Sequence, residues 1–163
     1  MTPQETVYIG LGSNLEQPAE QVSEALSELA ELPFTGVLAS SSLYASSPLG
    51  PNDQPDYVNA VACVSTQLTP LDLLDQLQSL EQKHRRIRQR HWGPRTLDLD
   101  ILMFGNQVIN ETRLQVPHPH MHTRSFVLEP LLEIAPDVAI PGKGAASGWL
   151  AQCDDLQIRR LSD

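Results

Sequence analysis

Two aspartates in the middle of the chain are spaced so that they could hold a metal ion. Residues 97–101 alternate leucine or isoleucine with Asp98 and Asp100, which is the period of a strand with one apolar and one polar face. Both carboxylates should therefore project from the same face, with their Cα atoms roughly 6.5 to 7 Å apart. Mg²⁺ commonly takes one or two carboxylates together with substrate phosphates. The pattern predicts a site for a metal-bound polyphosphate, with ion pairing to nearby arginines as the alternative.

A dense group of cations precedes these aspartates. Residues 83–90 together with Arg95 contain six of the eleven Lys and Arg residues, and no cation comes before Lys83. In a chain of net charge −9, this concentration indicates that an anion is held there. The alternative is a solvated helix end, because helix C-termini favour Lys and Arg. The neighbouring carboxylates favour the first interpretation.

Four ordered segments resemble the 6-hydroxymethyl-7,8-dihydropterin pyrophosphokinase family. They are 8–15 (YIGLGSNL), 48–60 (PLGPNDQPDYVNA), 92–102 (WGPRTLDLDIL) and 116–119 (VPHP), and the similarity runs from about Val7 to Pro141. Four matches in order are more specific than any single motif. The resemblance implies a ferredoxin-like α+β fold with helices packed on a largely antiparallel sheet. It also implies transfer of an intact pyrophosphate from ATP to the pterin, releasing AMP, in folate biosynthesis.

The resemblance further implies which residues act. Two Mg²⁺ ions are expected on the two aspartates, and the expected catalytic residues are Arg86, Arg95, Asp98 and Asp100. The residues expected at ATP are Arg86, Arg88, Trp92, Arg95, Ile101, Arg113, His118 and Arg124. Those expected at the pterin are Ser46, Ser47, Leu49, Tyr57, Asn59, Trp92 and Phe126. The flat ring would stack between Tyr57 and Phe126, while the Asn59 amide offers a donor and an acceptor to its edge.

Several of these residues have a plainer interpretation. Tyr57 and Phe126 could be core residues, and His118 could be a surface histidine. Trp92 belongs either to a mobile lid or to a buried anchor. Glu81 either forms an ion pair with the arginine one helical turn later or, by the resemblance, orients groups of the active site.

The chain departs from the family pattern in three places. Ser46 and Ser47 stand where some members have Thr-Pro, and Pro119 stands where some have an aromatic residue. The loop between Arg88 and Trp92 is one residue shorter than in some members. Backbone contacts of the pterin loop are compatible with the first change, whereas Pro119 removes any contact that an aromatic side chain beside His118 would make. The shorter loop leaves the register of Arg90 and His91 open.

Length and composition set the remaining expectations. The 163 residues should form a single domain, 1–163, that buries about 70% of its unfolded surface. The two cysteines lack zinc-type spacing and should be free thiols. Without a basic N-terminal region or an apolar run near 20 residues, we expect a cytoplasmic protein that does not enter a membrane. The excess of acidic residues argues against nucleic-acid binding. We expect a monomer whose partners are ATP and a reduced pterin.

The local patterns predict an alternation of strands and helices. The predicted strands are 6–11, 37–44, 57–67 and the aspartate strand from 97 onwards. The predicted helices are 18–32, one capped by Thr69 that begins at Pro70 and ends in the cations, and 123–134. Gly10 and Gly12 predict a tight turn, and Gly105-Asn106 a hairpin into 107–109. The last twenty residues give no clear prediction.

Three other functions use parts of the same pattern. A ferredoxin-like RNA-binding module would contact phosphates with 85–95, but the chain lacks the aromatic-glycine pattern of such modules. A metal-dependent phosphatase or nucleotidyl enzyme would need the same aspartates. In such an enzyme, however, Tyr57, Asn59 and Phe126 would have no reason to form a pterin slot. A pseudoenzyme would not need to keep the residues that act in catalysis, yet this chain contains all of those expected: Arg86, Arg95, Asp98, Asp100 and His118.

Overall fold

The structure is a computed structural model that describes residues 4–13, 18–46, 57–88, 97–153 and 158–161, without the side chains of 85–88. The strands are β1 (Glu5–Ser13), β2 (Thr35–Ser40), β3 (Tyr44–Ser46), β4 (Tyr57–Thr66), β5 (Asp98–Phe104), β6 (Ile109–Asn110), β7 (Gln115–Val116), β8 (Ala139–Ile140), β9 (Gly144–Ala145) and β10 (Ile158–Arg160). The helices are α1 (Pro18–Leu29), α2 (Pro70–Arg88), α3 (Ser125–Ile134) and α4 (Ala146–Leu150), with a 3₁₀ turn at Met121–Thr123.

One antiparallel sheet organises the described part of the chain. Its strands follow the order β10-β3-β4-β1-β5, and β2 pairs with the other half of β4. Strand β1 lies between β4 and β5 and is antiparallel to both. Two short hairpins, β6-β7 and β8-β9, stand apart from this sheet. The predicted α+β class with a largely antiparallel sheet is confirmed.

The two faces of the sheet are covered by different helices. Helices α1 and α2 bury one apolar cluster, which includes Val7, Ile9, Val22, Leu29 and Leu77. On the other face α3, α4 and the 3₁₀ turn bury a second cluster around strand residues of β4 and β5. Because side chains alternate between the two faces of a strand, the strand residues between those of the first cluster point to the second face. That face carries Asp98 and Asp100.

The predicted start of α2 is confirmed, and its end is fixed against α1. Thr69 Oγ1 accepts a hydrogen bond from the Asp72 N–H at 3.2 Å, which is an N-cap. Near the other end, the buried His84 ring contacts Gln21 and Glu28, each at 2.6 Å, and Lys83 also pairs with Glu28. These contacts set the direction of the last turns of α2, which contain the cationic residues.

Three predicted local features are wrong. Gly10 and Gly12 lie within β1, not in a turn. The predicted strand 37–44 is two strands, because Ser41 Oγ accepts from the Val61 N–H and interrupts the regular ladder. Gly105 does form a turn at φ 54°, but residues 107–109 do not pair with β5 as a hairpin would. Instead β6 pairs with β7, and on β5 the Leu102 carbonyl accepts a hydrogen bond from the His118 N–H.

The remaining element predictions agree with the structure to within a few residues. Helix α1 ends three residues earlier than predicted, and the predicted helix 123–134 begins as α3 at Ser125. The C-terminal residues add the edge strand β10 beside β3, where Arg160 pairs with Glu133 at 3.0 Å. No helix in the described ranges has both the length and the apolar character needed to cross a bilayer.

Candidate functional site

Two adjoining cavities lie beside β5, the first on the sheet face opposite α1 and α2 and the second between β5, α2 and the β6-β7 hairpin. The first has a volume of about 300 Å³ and the second about 430 Å³. Asp98, Asp100 and His118 line both of them. The carboxylates predicted to hold a metal therefore stand on a wall that the two cavities share.

Glycines form the floor of the first cavity. In the register of the sheet, Gly12 lies between Asn59 of β4 and Asp98 of β5, and Gly10 lies between Val61 and Asp100. A Cβ atom on Gly12 would come within 3.0 Å of Asn59 Oδ1, closer than such atoms approach without displacing the neighbour. A Cβ atom on Gly10 would meet the Leu102 side chain at 3.3 Å, so Leu102 covers Gly10, and it is the absence of a side chain at Gly12 that keeps the space between Asn59 and Asp98 open.

Sequence analysis missed this role of the two glycines. The available signal was their spacing, because glycines two residues apart in a strand leave one face bare. Because Leu15 stands where a dinucleotide fingerprint would have its third glycine, the local pattern indicates a tight turn instead. Only the pairing with β4 and β5 shows that the bare patch lies between the polar side chains.

Aromatic and polar side chains line the sides of the first cavity. Tyr57 comes from β4 and Phe126 from α3, and both are half-buried rather than enclosed in the core. Arg124 lies over the Phe126 ring, with Cζ 5.6 Å from the ring centroid. Ser46 and Asn59 complete the wall. A cavity lined by two aromatic rings together with polar groups suits a flat heterocycle.

Glu81 holds the aspartate strand in position. Its Oε2 accepts a hydrogen bond at 2.8 Å from the N–H of Leu99, the buried residue between Asp98 and Asp100. This contact supports the orienting role of Glu81, whereas the alternative, an ion pair with Arg85, involves a side chain outside the described structure. By fixing the backbone between the two carboxylates, Glu81 limits how far they can move apart or rotate.

The donor set of the aspartates fits a hard divalent cation. Across the described ranges, no cluster of three or more His, Cys, Asp or Glu side chains could enclose a metal ion. Two carboxylate side chains on one strand face are nevertheless sufficient for Mg²⁺, which takes its remaining oxygen ligands from phosphates and water. Such a site is completed only when the anionic ligand is bound.

The second cavity combines apolar and polar walls. Leu74 and Gln78 of α2, Ile101 of β5, and Thr112 and Arg113 of the β6-β7 hairpin line it. Arg113 Nη2 donates to Asp75 at 2.6 Å and to Gln78 at 3.1 Å. Ile101, Arg113 and His118, all predicted at ATP, thus meet in one cavity. Arg124, predicted with them, lies on the wall of the first cavity instead.

His118 is neutral and is held by the backbone. Its Nδ1 accepts from the His120 N–H at 3.1 Å, so the ring proton is on Nε2. Burial, and then the positive charges of Arg124 and His120, lower the pKa of His118 from its ordinary 6.5 to about 4. At neutral pH the ring can therefore donate a hydrogen bond to an anionic oxygen without carrying a charge.

This environment predicts an unusual titration of His118. Its ring should not take up a proton between about pH 8 and pH 5, where an ordinary histidine does. Since the folded-state pKa is below the unfolded value, stability should fall as the pH drops from 6.5 towards 4. Histidine NMR resonances against pH would test this, with His118 identified by the resonance missing from His118→Gln. A midpoint near 6.5 for that resonance would contradict the prediction.

Some predicted site residues fall outside the described structure. Ser47, Leu49, Trp92 and Arg95 lie beyond the described ranges, and Arg86 and Arg88 are described only as backbone of the last turn of α2. Their predicted roles rest on the resemblance alone. The other predicted residues all line one or both cavities.

Comparisons with known proteins agree on one family. A family model described as 7,8-dihydro-6-hydroxymethylpterin-pyrophosphokinase (HPPK) matches residues 8–136. The chain is 50% identical over 157 residues to the 2-amino-4-hydroxy-6-hydroxymethyldihydropteridine pyrophosphokinase of Haemophilus influenzae, covering 96% of this chain and 98% of that protein. With the protein of the same name from Pseudomonas aeruginosa it shares 52% identity over 155 residues, covering 95% and 96%.

A solved structure supports the fold. The wild-type HPPK-DHPS of Plasmodium falciparum with pteroate superposes with a TM-score of 0.73 at 14% identity, covering 93% of this chain and 43% of that one. The chain thus spans less than half of that larger protein, and the likeness supports the ferredoxin-like α+β fold. Because the family model covers most of the sequence and the two bacterial relatives match it along nearly their whole length, this chain belongs to the 7,8-dihydro-6-hydroxymethylpterin-pyrophosphokinase family.

Proposed function

We propose that the first cavity binds the reduced pterin, that the second binds ATP, and that Asp98 and Asp100 hold magnesium between them. The observation that carries this assignment is the shared wall, since Asp98, Asp100 and His118 line both cavities. A transfer between two substrates needs its charged groups at the point where the substrates meet.

The reaction is that of the family. The enzyme transfers pyrophosphate from ATP to 6-hydroxymethyl-7,8-dihydropterin in folate biosynthesis. The pterin hydroxyl oxygen forms a bond to the β-phosphorus, and the bond from that phosphorus to the oxygen bridging to the α-phosphorus breaks. The hydroxyl proton passes to solvent, and AMP leaves with the bridging oxygen. Such a transfer depends on positioning and on stabilising phosphate charge more than on covalent help from the protein.

The pterin is assigned to the glycine floor of the first cavity. Its ring would lie over Gly12, between Tyr57 and Phe126, with its polar edge towards Asn59. In this placement Asn59 on β4 and the two aspartates on β5 lie on opposite sides of β1. The hydroxymethyl group would then point to the shared wall.

The nucleotide is assigned to the second cavity. Leu74 and Ile101 give an apolar surface for the base, while Arg113 and His118 supply donors for anionic oxygens. His118 would donate through Nε2, because its Nδ1 is already engaged with the backbone. Glu81 acts as a positioning residue, since its carboxylate is bonded to the strand that carries the metal ligands.

We place two Mg²⁺ ions at Asp98 and Asp100, with phosphate oxygens and water as the remaining ligands. When bound, magnesium neutralises charge on the phosphates and lowers the pKa of a coordinated hydroxyl. Arg86, Arg88 and Arg95 would hold the triphosphate, and Arg124 would contact it from the pterin side. Ser46 would line the pterin cavity, and Ser47, Leu49 and Trp92 would close over the ring.

The wider context is also a proposal. We place the enzyme in the cytoplasm as a monomer with one catalytic domain, 1–163, that does not bind nucleic acid. Its cysteines support this setting, since both Cys63 and Cys153 are free thiols, as is usual in reducing compartments. The net charge of −9 would repel a nucleic-acid backbone.

Product analysis tests the function directly. The protein is incubated with Mg²⁺, ATP and 6-hydroxymethyl-7,8-dihydropterin, and AMP, ADP and pterin diphosphate are separated. We expect AMP and pterin diphosphate in equal amounts, and neither when the pterin is omitted or the metal chelated. ADP in place of AMP would mean transfer of a single phosphoryl group, and absence of any pterin-dependent nucleotide product would overturn the proposal.

A further inference from the structure

A carboxylate near the end of α3 binds the segment that leads into β3. Glu133 Oε1 accepts a hydrogen bond from the hydroxyl of the buried Tyr44 at 2.7 Å. The two Glu133 oxygens also accept from the Ser42 N–H at 3.0 and 3.1 Å, and Oε2 accepts from the Ser42 hydroxyl at 3.1 Å. Arg160 Nη2 on β10 donates to Oε2 at 3.0 Å and to Ser42 Oγ at 2.6 Å. Helix α3, residues 42–44 and β10 therefore meet at one side chain.

The chemistry of the partners fixes the direction of each of these hydrogen bonds. The Arg160 guanidinium can only donate, and an ionised carboxylate can only accept. Burial acts to raise the pKa of Glu133, but the hydrogen bonds that it accepts and the charge of Arg160 outweigh burial and lower this pKa below its ordinary 4.5. Burial, and then the contact with Glu133, raise the pKa of Tyr44 from 10.0 to about 12. At neutral pH the Tyr44 hydroxyl therefore donates to a charged acceptor, which is the stronger kind of hydrogen bond.

The contacts of Glu133 join two elements that carry residues of the first cavity. On α3, Phe126 lines the cavity and precedes Glu133 by seven residues, which is two turns and roughly 10 Å along the same side of the helix. On β3, Ser46 lies two residues after Tyr44 and pairs with Tyr57 of β4. Both Ser46 and Tyr57 line the cavity. Glu133 thus connects α3 to β3 a short distance from the place where both elements border the cavity.

We infer that Glu133 is a positioning residue for the pterin, because its bonds to Tyr44 and Ser42 hold α3 at a fixed distance from β3. That distance sets the gap between Phe126 on α3 and Tyr57 on β4, the two rings between which the pterin is placed. This inference rests on the proposed function, since it takes the first cavity to be the pterin site. A gap wider by about 0.5 to 1 Å loses a quarter to a half of the dispersion attraction across it. Pterin affinity should therefore depend on Glu133, although this residue lines neither of the two cavities.

Two substitutions break the connection from opposite sides. Tyr44→Phe removes only the donating hydroxyl and keeps the packing of the ring, whereas Glu133→Ala removes the acceptor. In either variant α3 and β3 can adopt other spacings, and the apparent Kd for the pterin rises as the fraction of molecules with the productive spacing falls. We expect a rise of about tenfold in Tyr44→Phe, as for the loss of one hydrogen bond to a charged group, and at least as much in Glu133→Ala.

The double variant tests whether both residues act through the same contact. Because Glu133→Ala already removes the acceptor of the Tyr44 hydroxyl, adding Tyr44→Phe to it should raise the Kd by less than about a further twofold. Two residues that affected pterin binding independently would instead multiply their effects.

The matched control is Glu129→Ala, which removes the same charge one turn earlier on α3. Glu129 is partly buried and forms no hydrogen bond with the described residues, so its loss should leave the pterin Kd within about twofold of the wild-type value. Titration calorimetry measures the Kd of 6-hydroxymethyl-7,8-dihydropterin with a non-hydrolysable ATP analogue at saturation. The Kd of the analogue itself is measured separately and should change by less than about twofold in every variant, since none of the three positions lines the second cavity.

The outcomes separate this inference from the function on which it rests. A wild type that neither binds the pterin nor converts it would mean that the proposed function has failed. A wild type that binds it, with the same Kd in Tyr44→Phe, would overturn the role of Glu133, and Tyr44→Phe alone decides this if Glu133→Ala does not fold. Equal weakening of the pterin and the ATP analogue would also overturn it, since a general loss of structure affects both ligands. Multiplied effects in the double variant would do the same.

Discussion

Substituting alanine for Asp98 or Asp100 should abolish magnesium-dependent turnover, lowering kcat by at least about 10³-fold. Both carboxylates stand on the wall shared by the two cavities, and in the described ranges no third His, Cys, Asp or Glu side chain joins them in a metal-binding group. Asp100 is exposed and Asp98 only partly buried, so the free energy of unfolding should change by no more than about 1 kcal/mol. AMP formation at increasing Mg²⁺, together with thermal unfolding, measures the two effects.

A matched control uses an aspartate outside the site. Asp137 is exposed, lies between α3 and β8, and is on the wall of neither cavity. Asp137→Ala should leave both turnover and its dependence on Mg²⁺ unchanged. Near-normal activity in Asp98→Ala or Asp100→Ala would show that the metal is held elsewhere, and the shared wall would lose its proposed role.

The parts of the fold that the sequence predicted well are those set by local chemistry. Thr69 and Pro70 mark the start of α2 because a cap and a first-turn proline act within a few residues. The alternation around Asp98 and Asp100 predicted a strand with both carboxylates on one face, because the period of two is a property of the strand itself. Neither feature requires knowledge of which strands pair.

The features that could not be predicted depend on pairing between distant segments. Gly10 and Gly12 are compatible with a turn until β4 and β5 are seen on either side of them. The Leu102 carbonyl on β5 accepts a hydrogen bond from the His118 N–H. Nothing in the sequence of residues 105–109 indicates that this later segment, and not residues 107–109, contacts β5. The lowered pKa of His118 likewise comes from burial and from the charge of Arg124, six positions further along the chain.

The family resemblance and the geometry contribute different parts of the site. Resemblance assigned Tyr57 and Phe126 to a stacking pair, although residue type alone favoured the core. The structure puts both on one cavity, half-buried, with the bare glycine floor between the polar residues. What the resemblance did not contain is a reason that a flat ring would fit there, and the missing side chain at Gly12 supplies one.

Gly12→Val should therefore prevent pterin binding while sparing the nucleotide. The first atom of the new side chain would lie 3.0 Å from Asn59 Oδ1, and its two methyl groups would project from the floor where the ring is placed. We expect kcat/KM for the pterin to fall by at least about 100-fold, as for other steric blocks in a close-fitting pocket. Gly12 does not line the second cavity, so the Kd for a non-hydrolysable ATP analogue should change by less than about threefold.

Gly36→Val on β2 is the matched control, because no atom lies within 4 Å of its Cβ position and its φ is not positive. A valine in that exposed strand should be neutral or slightly stabilising, with the kinetics of the wild type. Titration calorimetry with the pterin and with the ATP analogue distinguishes the two sites. If Gly12→Val, folded as judged by its thermal unfolding, bound the pterin with wild-type affinity, the first cavity would not be the pterin site and the assignment of the two cavities would have to be exchanged or abandoned.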